Sequence, residues 1–342
     1  MKTALLGLLE GHGPLPPLLA ILLVGALVFV LASRLARDAN TVAATTGLGG
    51  LWIGSVLLAA STSLPEVFTN LNAAALDAPD VGVADLFGAA LANMLILALL
   101  DVARPRQRLL HQVATEHALL GLLGIVLAAI AGSAILVRGW GRLGHVGVET
   151  LTVGAIYVAG MRLVYRSLAI EPEPSAPASP EARTDLWRAV ARFGLAATGL
   201  AAVTPLLVVA AEALAVETRL SVTFVGTLLV GMTTSFPELA ATVSAVRLGA
   251  LDLAVGNVFG SVAFNMVVLL LLDLTYVRGP LLAAVSPDHA VAALAAIICV
   301  AFGVMAILSR VQRRPGPVVA ESALIVVAYG LGVWLLYRLG TG

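Results

Sequence analysis

The sequence predicts an all-α polytopic membrane protein, with ten transmembrane helices arranged as two inverted five-helix halves. Three observations carry this. The composition is too apolar for a soluble domain: 60% of the 342 residues are hydrophobic, 12% are charged, and the mean hydropathy is +1.00, whereas soluble chains carry about one quarter charged residues. The apolar residues fall into ten runs, each able to supply the roughly 20 residues that cross about 30 Å of hydrocarbon. Residues 54–101 also recur at 226–273, displaced by 172 positions without a gap, with 19 of the 48 pairs identical, and an internal repeat of this kind constrains the whole fold. Shared hydrophobicity would match leucine with leucine. It would not bring Pro65 and Pro237, Glu66 and Glu238, Asn93 and Asn265, or Asp101 and Asp273 into register.

The first run, 16–36, follows Lys2 and a short apolar stretch that Glu10, Pro14, Pro16 and Pro17 interrupt, which argues against a cleaved signal peptide. Runs two and seven, 43–76 and 220–248, are over-long. The 34 residues of 43–76 would make a straight rod of about 50 Å, so these spans tilt strongly or break, and the Pro-Glu pair in each favours a break. The remaining runs are 80–102, 114–136, 147–168, 187–215, 252–275, 286–309 and 317–338. Between a first half, 1–170, and a second, 187–342, lies the stretch 171–186. It opens with the proline-rich segment from Glu171 to Glu181, which reads as a plain tether.

Assigning loops alternately to the two sides places 14 of the Lys and Arg residues on one side, that of the tether, and 6 on the other. The positive-inside rule makes the richer side cytoplasmic and puts both termini outside. The two repeat copies are five spans apart, an odd number, so they cross the membrane in opposite directions. The expected location is the cell (plasma) membrane, with the lipid bilayer as the chief partner. A formal net charge of zero leaves no basic excess for a nucleic acid, and no protein partner or cofactor is evident. The single cysteine, Cys299, reads as a small core hydrophobe.

Chemistry concentrates at Glu66 and Glu238. Both lie deep in apolar spans whose one basic residue, Arg247, stands at the far end of the second, where an ionisable group costs on the order of 3 kcal/mol. Pro65 and Pro237 precede them. Proline has no N–H, so the carbonyls of Ser61 and Thr233 lose their helical partners, and irregular backbone at that depth is tolerated where it lines a cavity. Thr62, Ser63, Thr234 and Ser235 add hydroxyls. Carboxylate, hydroxyl and carbonyl oxygens together suit hard cations such as Ca²⁺. No Cys or His falls in either motif, which disfavours zinc or copper. Two carboxylates neutralise one Ca²⁺ or two Na⁺. Asn93 and Asn265 fit as neutral oxygen donors, or as hydrogen-bonding glue between helices. Gly88 and Gly260 read as close-packing positions.

At these residues the chain resembles the cation/calcium exchanger superfamily, most closely its sodium/calcium exchanger branch. The second copy, Met232-Thr-Thr-Ser-Phe-Pro-Glu238 followed by Gly256-Asn-Val-Phe-Gly-Ser-Val-Ala-Phe-Asn265, follows the family pattern almost throughout. The first matches at Ser61-Thr-Ser-Leu-Pro-Glu66, Gly88 and Asn93. The resemblance implies a ten-helix fold with clustered cation positions between spans two, three, seven and eight. It makes Glu66 and Glu238 the central ligands. Thr62, Ser63, Thr234, Ser235, Ser261, Asn93 and Asn265 would supply further donors, and the carbonyls of Ala59 and Gly231 would complete the sodium positions. Spans one and six would slide across this core. Two departures stand out: Ala89 replaces the serine hydroxyl, and Asp85 replaces the asparagine of the Gly-Asn pair. Asp85 either alters the site as an accessory carboxylate or is a simple amide replacement facing other helices.

The implied activity is Na⁺/Ca²⁺ antiport by alternating access, with Ca²⁺/H⁺ or other cation/H⁺ antiport at the same glutamates as the alternative. A membrane-embedded hydrolase would need a nucleophile–base pair or a metal motif. Ser63 and Glu66 have no histidine partner, and the chain reads as a transporter, not an enzyme. Among the other polar residues, Asp80 and Asp252 read as helix N-caps, and Asp101 and Asp273, near the ends of their spans, as facing the interface. Glu116, Glu149 and Glu212 read as span-end carboxylates able to reach water, and the five histidines as lying in or beside loops.

Overall fold

The computed structural model describes residues 13–46, 49–75, 77–103, 109–167, 180–218, 231–309 and 320–340. The extreme N-terminus, most of the tether, and the opening of span seven with residues 226–230 of the second repeat lie outside them. In order, the elements are α1 (Leu15–Thr46), α2 (Gly49–Trp52), a π-helical stretch (Ile53–Leu58), α3 (Ala59–Thr62), α4 (Leu64–Ala75), α5 (Pro79–Val102), α6 (Leu109–Gln112) and α7 (His117–Leu136). A two-residue hairpin of β1 (Arg142–Leu143) and β2 (Val146–Gly147) leads to α8 (Val148–Ser167). The second half has α9 (Pro180–Thr218), α10 (Gly231–Thr234), α11 (Phe236–Arg247), α12 (Leu251–Thr275), α13 (Leu281–Ala284), α14 (His289–Ser309) and α15 (Ala320–Gly340). Among the described residues, nine helical segments are long and apolar enough to cross a membrane. The tenth expected span is described from Gly231 onward.

Both over-long spans break, and at equivalent places. The backbone of Ser63 (φ −85°, ψ 9°) separates α3 from α4, and that of Ser235 (φ −78°, ψ 4°) separates α10 from α11. Each serine stands two residues before its proline, which cannot donate back across the turn. The chain leaves α4 through Asp77 (φ 57°) and α11 through Gly249 (φ 76°), again 172 positions apart. Helix α9 begins at Pro180, inside the expected tether and ahead of the expected start at 187. Proline is well suited to a first helical position, where its missing N–H has no partner to lose.

Helices α5 and α12 form the centre. In each, 78% of the most apolar window is buried, against 22% for α1 and for the 185–203 part of α9. A helix apolar on every side belongs inside. The two are repeat-related and antiparallel: Gly82 near the start of α5 meets Leu272 near the end of α12. This is the inverted arrangement. Packing is close enough to require glycine. A Cβ on Gly54 would lie 2.5 Å from the Leu253 carbonyl, and one on Gly260 would lie 2.5 Å from the Ser55 carbonyl, so α12 rests against the backbone of the π-helical stretch.

The 172-residue offset reaches beyond the motif. It carries α1 onto residues 187–218 of α9, α7 onto α14 and α8 onto α15. Specific bonds repeat with it. His117 Nε2 lies 3.0 Å from Asp252 Oδ1, which also accepts from the Ala114 N–H; His289 Nε2 lies 2.9 Å from Asp80 Oδ1, which accepts from the Ser286 N–H. Asp273 accepts from Thr150 and the Gly147 and Leu281 N–H groups, while Asp101 accepts from Ser322 and the Leu110 N–H.

These contacts correct several expectations. Asp80 and Asp252 do not cap their own helices; they bind the chain entering α14 and α7. His117 and His289 open α7 and α14, beside loops as expected, and are buried there. Asp101 and Asp273, expected at the interface, are fully buried and satisfy the backbone of the segments that follow their helices. Glu149 does not reach water: it is fully buried and accepts from the Trp140 N–H. Cys299 is a buried core residue, as expected.

Candidate cation site

The two breaks face each other across the repeat axis, with α5 and α12 alongside. Glu66 and Glu238 fall in the first turns of α4 and α11 and both are completely buried. Ser63 Oγ, from the first break, donates to Glu238 Oε1 at 2.8 Å, and Ser261 Oγ of α12 approaches the same oxygen at 3.4 Å. Thr62 Oγ1 reaches Asn257 Oδ1 at 3.2 Å, and Thr234 Oγ1 donates to Asp85 Oδ1 at 3.0 Å. These bonds bring together Thr62, Ser63, Thr234, Glu238, Ser261 and Asp85 from spans distant in sequence.

On α5, Asp85, Ala89 and Asn93 follow one another at intervals of four and share a helix face; on α12, Asn257, Ser261 and Asn265 do the same. Since Ser261 faces Glu238 and Asp85 faces Thr234, Asn93 and Asn265 lie on the site-facing rows. The Ala59 carbonyl accepts from both the Ser63 N–H (2.9 Å) and Thr62 Oγ1 (3.2 Å), so it has a lone pair for a cation once Thr62 turns its hydroxyl. Gly231 opens α10, one turn ahead of Ser235.

Buried polar side chains are almost always hydrogen-bonded. Here they are not. Among the described residues, twelve buried side-chain nitrogen and oxygen atoms lack a partner, and nine of them belong to Glu66, Asn70, Asn93, Ser235, Glu238 and Asn265. Both oxygens of Glu66 and every amide atom of Asn93 and Asn265 are among them. Leaving such groups bare at membrane depth costs several kcal/mol each, on the order of 2–7. A cation coordinated by the oxygens offsets that cost directly. No lysine or arginine is among the buried residues described, so none of these neutralises the carboxylates. The donor set is all oxygen and amide, with neither imidazole nor thiolate, which fits Na⁺ and Ca²⁺.

Sequence reasoning passes over three residues here. Asn70 Nδ2 donates both to the Glu66 carbonyl (2.7 Å) and to Asp85 Oδ2 (2.8 Å), and Asn257 Nδ2 donates to Thr242 Oγ1 at 3.1 Å. Asn70 and Thr242 each sit four residues after a site glutamate, and that polar i,i+4 spacing inside an apolar run was the available signal.

Two outer helices flank this core. Helix α1 packs along α9 and α11; Arg192 binds Asp38 at 2.9 Å, and Ser244 Oγ donates to Ser33 Oγ at 2.8 Å. Between α1, α5 and the second break lies a cavity of about 410 Å³ with Ser235 on its wall and Gly25, Ile96, Leu99, Met232 and Phe236 around it.

The sodium/calcium exchanger protein family matches residues 17–136 and 188–338. The chain is 29% identical to inner membrane protein YrbG of Escherichia coli (strain K12) over 327 residues, 92% of this chain and 95% of that one. It is 26% identical to the putative antiporter CaxA of Alkalimonas amylolytica over 250 residues, 72% and 77% of the two chains. In fold it is similar to the sodium-calcium exchanger NCX_Mj soaked with 10 mM Na⁺ and 10 mM Sr²⁺, with a TM-score of 0.68 and 18% identity over 92% of this chain and 97% of that one. Against the same exchanger soaked with zero Na⁺ and Ca²⁺ the TM-score is 0.65, at 17% identity over 92% and 96%.

Proposed function

This chain belongs to the sodium/calcium exchanger protein family, and from that premise we propose that it exchanges Na⁺ for Ca²⁺ at the paired glutamates Glu66 and Glu238. The coarser statement stands by itself: it is a multi-pass membrane cation antiporter and not an enzyme. The observation that carries the finer reading is the concentration of unpartnered, fully buried oxygens between the two breaks. One Ca²⁺ or two Na⁺ neutralise Glu66 and Glu238. A carrier that crosses loaded with either and resists crossing bare couples the two ions.

In this reading Glu66 and Glu238 bridge the ions. Thr62, Ser63, Thr234, Ser235 and Ser261 contribute hydroxyls, Asn93 and Asn265 neutral oxygens, and the Ala59 and Gly231 carbonyls the sodium positions. The core holds these groups rigidly through the repeated Asp–backbone and His–Asp bonds at both its ends. Helices α1 and α9, tied by Arg192–Asp38, move as a unit across it and expose the site to alternate sides. The arginine-rich side is cytoplasmic, both termini are outside, and the location is the plasma membrane.

A second reading, Ca²⁺/H⁺ exchange, takes support from Ala89. The hydroxyl that Ser261 offers Glu238 has no equivalent beside Glu66, and a carboxylate with fewer donors is better suited to carrying a proton. Ca²⁺ flux into proteoliposomes under an imposed Na⁺ gradient, compared with an imposed pH gradient, separates the two. The Na⁺ gradient is expected to drive flux. Flux driven by the pH gradient alone would establish the second reading and sink the first.

A further inference from the structure

The two copies of the repeat differ at one coupled pair of positions beside the site. In the second copy, Asn257 accepts from Thr62 through Oδ1 and donates through Nδ2 to Thr242. In the first, Asp85 occupies the place of Asn257, and Asn70 that of Thr242. Asp85 accepts through both oxygens, from Thr234 at 3.0 Å and from Asn70 at 2.8 Å. The donor of the pair has changed sides. Every hydrogen bond of the arrangement survives, so the exchange is not a packing repair. What it adds is one negative charge, fully buried, in one lobe only.

That charge lies near Glu66. Asn70 ties Asp85 to the Glu66 backbone through a single nitrogen, Glu238 and Asp85 both act electrostatically on the Glu66 carboxyl, and the Thr234 hydroxyl lies close to it. Both Glu66 oxygens and Asn70 Oδ1 are buried without a partner. No buried lysine or arginine is described that could balance the pair. Carboxylate, hydroxyl and amide oxygens around an excess of negative charge are the donor set of a hard cation.

We propose that Asp85 and Glu66, with the Thr234 hydroxyl and Asn70 Oδ1, hold a Na⁺ ion at a position that the lobe around Asn257 and Glu238 lacks. This rests on the Na⁺/Ca²⁺ reading and goes beyond it by making the two lobes unequal. Three Na⁺ neutralise the three carboxylates, whereas one Ca²⁺ neutralises Glu66 and Glu238 and leaves the Asp85 charge uncompensated on the Ca²⁺-loaded carrier, so Asp85 raises the Na⁺:Ca²⁺ ratio by one.

The test copies the second lobe into the first. Purified wild type, Asp85→Asn, and the double variant Asp85→Asn with Asn70→Thr are assayed for Na⁺ and Ca²⁺ binding by calorimetry. The Na⁺:Ca²⁺ ratio comes from the gradient that just reverses Ca²⁺ flux in proteoliposomes. The expected result is a ratio lower by one in both variants, with apparent Na⁺ affinity weaker by at least about tenfold and a smaller change in Ca²⁺ affinity measured without Na⁺. An unchanged ratio and Na⁺ affinity in either folded variant overturns the proposal alone. Equal losses of Na⁺ and Ca²⁺ binding also overturn it, because Asp85 would then support the site generally. Wild-type flux without any dependence on Na⁺ overturns both this proposal and the reading it rests on.

Discussion

Glu66 and Glu238 occupy the same position in two copies of one motif, yet their surroundings differ. Glu238 is held: Ser63 and Ser261 both present hydroxyls to its Oε1. Neither oxygen of Glu66 has a hydrogen-bond partner among the described residues, and the serine equivalent to Ser63, Ser235, is itself unpartnered. One carboxylate is held by serine hydroxyls from both halves of the chain, and the other is not. An inverted repeat duplicates positions without duplicating their energetics. That inequality gives an exchanger one fixed and one adaptable ligand.

The largest expected effect erases both sides of the comparison. Glu66→Gln and Glu238→Gln each remove a charge from a buried cation site and are expected to lower Ca²⁺ flux by more than about a hundredfold, with the folded protein still in the membrane; normal flux in either variant contradicts the account. Next comes Ser63→Ala, which frees Glu238 and strips a buried acceptor of its donor. It is expected to lower unfolding stability by about 1–3 kcal/mol, whereas Ser235→Ala, removing a hydroxyl that bonds nothing, is expected to cost less than about 0.5 kcal/mol. Thermal unfolding of the two variants side by side decides this, and equal shifts would show that the asymmetry is not energetic. Ala89→Ser gives Glu66 the hydroxyl that Glu238 already has. Ca²⁺ affinity is expected to rise severalfold, on the order of one hydrogen bond to a charged group, and no gain would mean that Glu66 does not lack a donor.

The last comparison comes from a region where the two copies are equal. His117 and His289 each bind the aspartate at the start of a core helix, 3.0 and 2.9 Å away. His117→Ala and His289→Ala are expected to destabilise by the same amount, about 1–2 kcal/mol, and to leave the Na⁺:Ca²⁺ ratio unchanged. A changed ratio in either variant would move these residues from scaffold to site.

Much of this was legible in the sequence, and the limits have physical reasons. The broken spans and the facing glutamates were readable because proline and a buried carboxylate leave few alternatives at membrane depth. The two inverted five-helix halves were readable from the repeat and the span count, but the residues that carry the repeat outside the motif were not. Outside the motif it is carried by isolated polar pairs such as His117 with His289 and Thr150 with Ser322, among apolar residues whose identities are interchangeable against lipid. Asp80 and Asp252 were misread as caps because a carboxylate in a first turn can take its own helix's N–H groups. Which N–H it takes is decided by a chain more than a hundred residues away. Asn70 and Thr242 were overlooked for a similar reason: a lone polar side chain shows its direction only once its partner across the helix interface is placed. The early start of α9 at Pro180 was hidden by the prolines around it, which read as a tether although one of them begins a helix.

The most direct test of the central claim is equilibrium binding of Ca²⁺ to the purified protein, measured by calorimetry without a gradient, for wild type, Glu66→Gln and Glu238→Gln. The account predicts saturable binding to wild type, competed by Na⁺, and its loss in both variants. Wild-type affinity retained in either variant would contradict the claim that the two glutamates form one cation site.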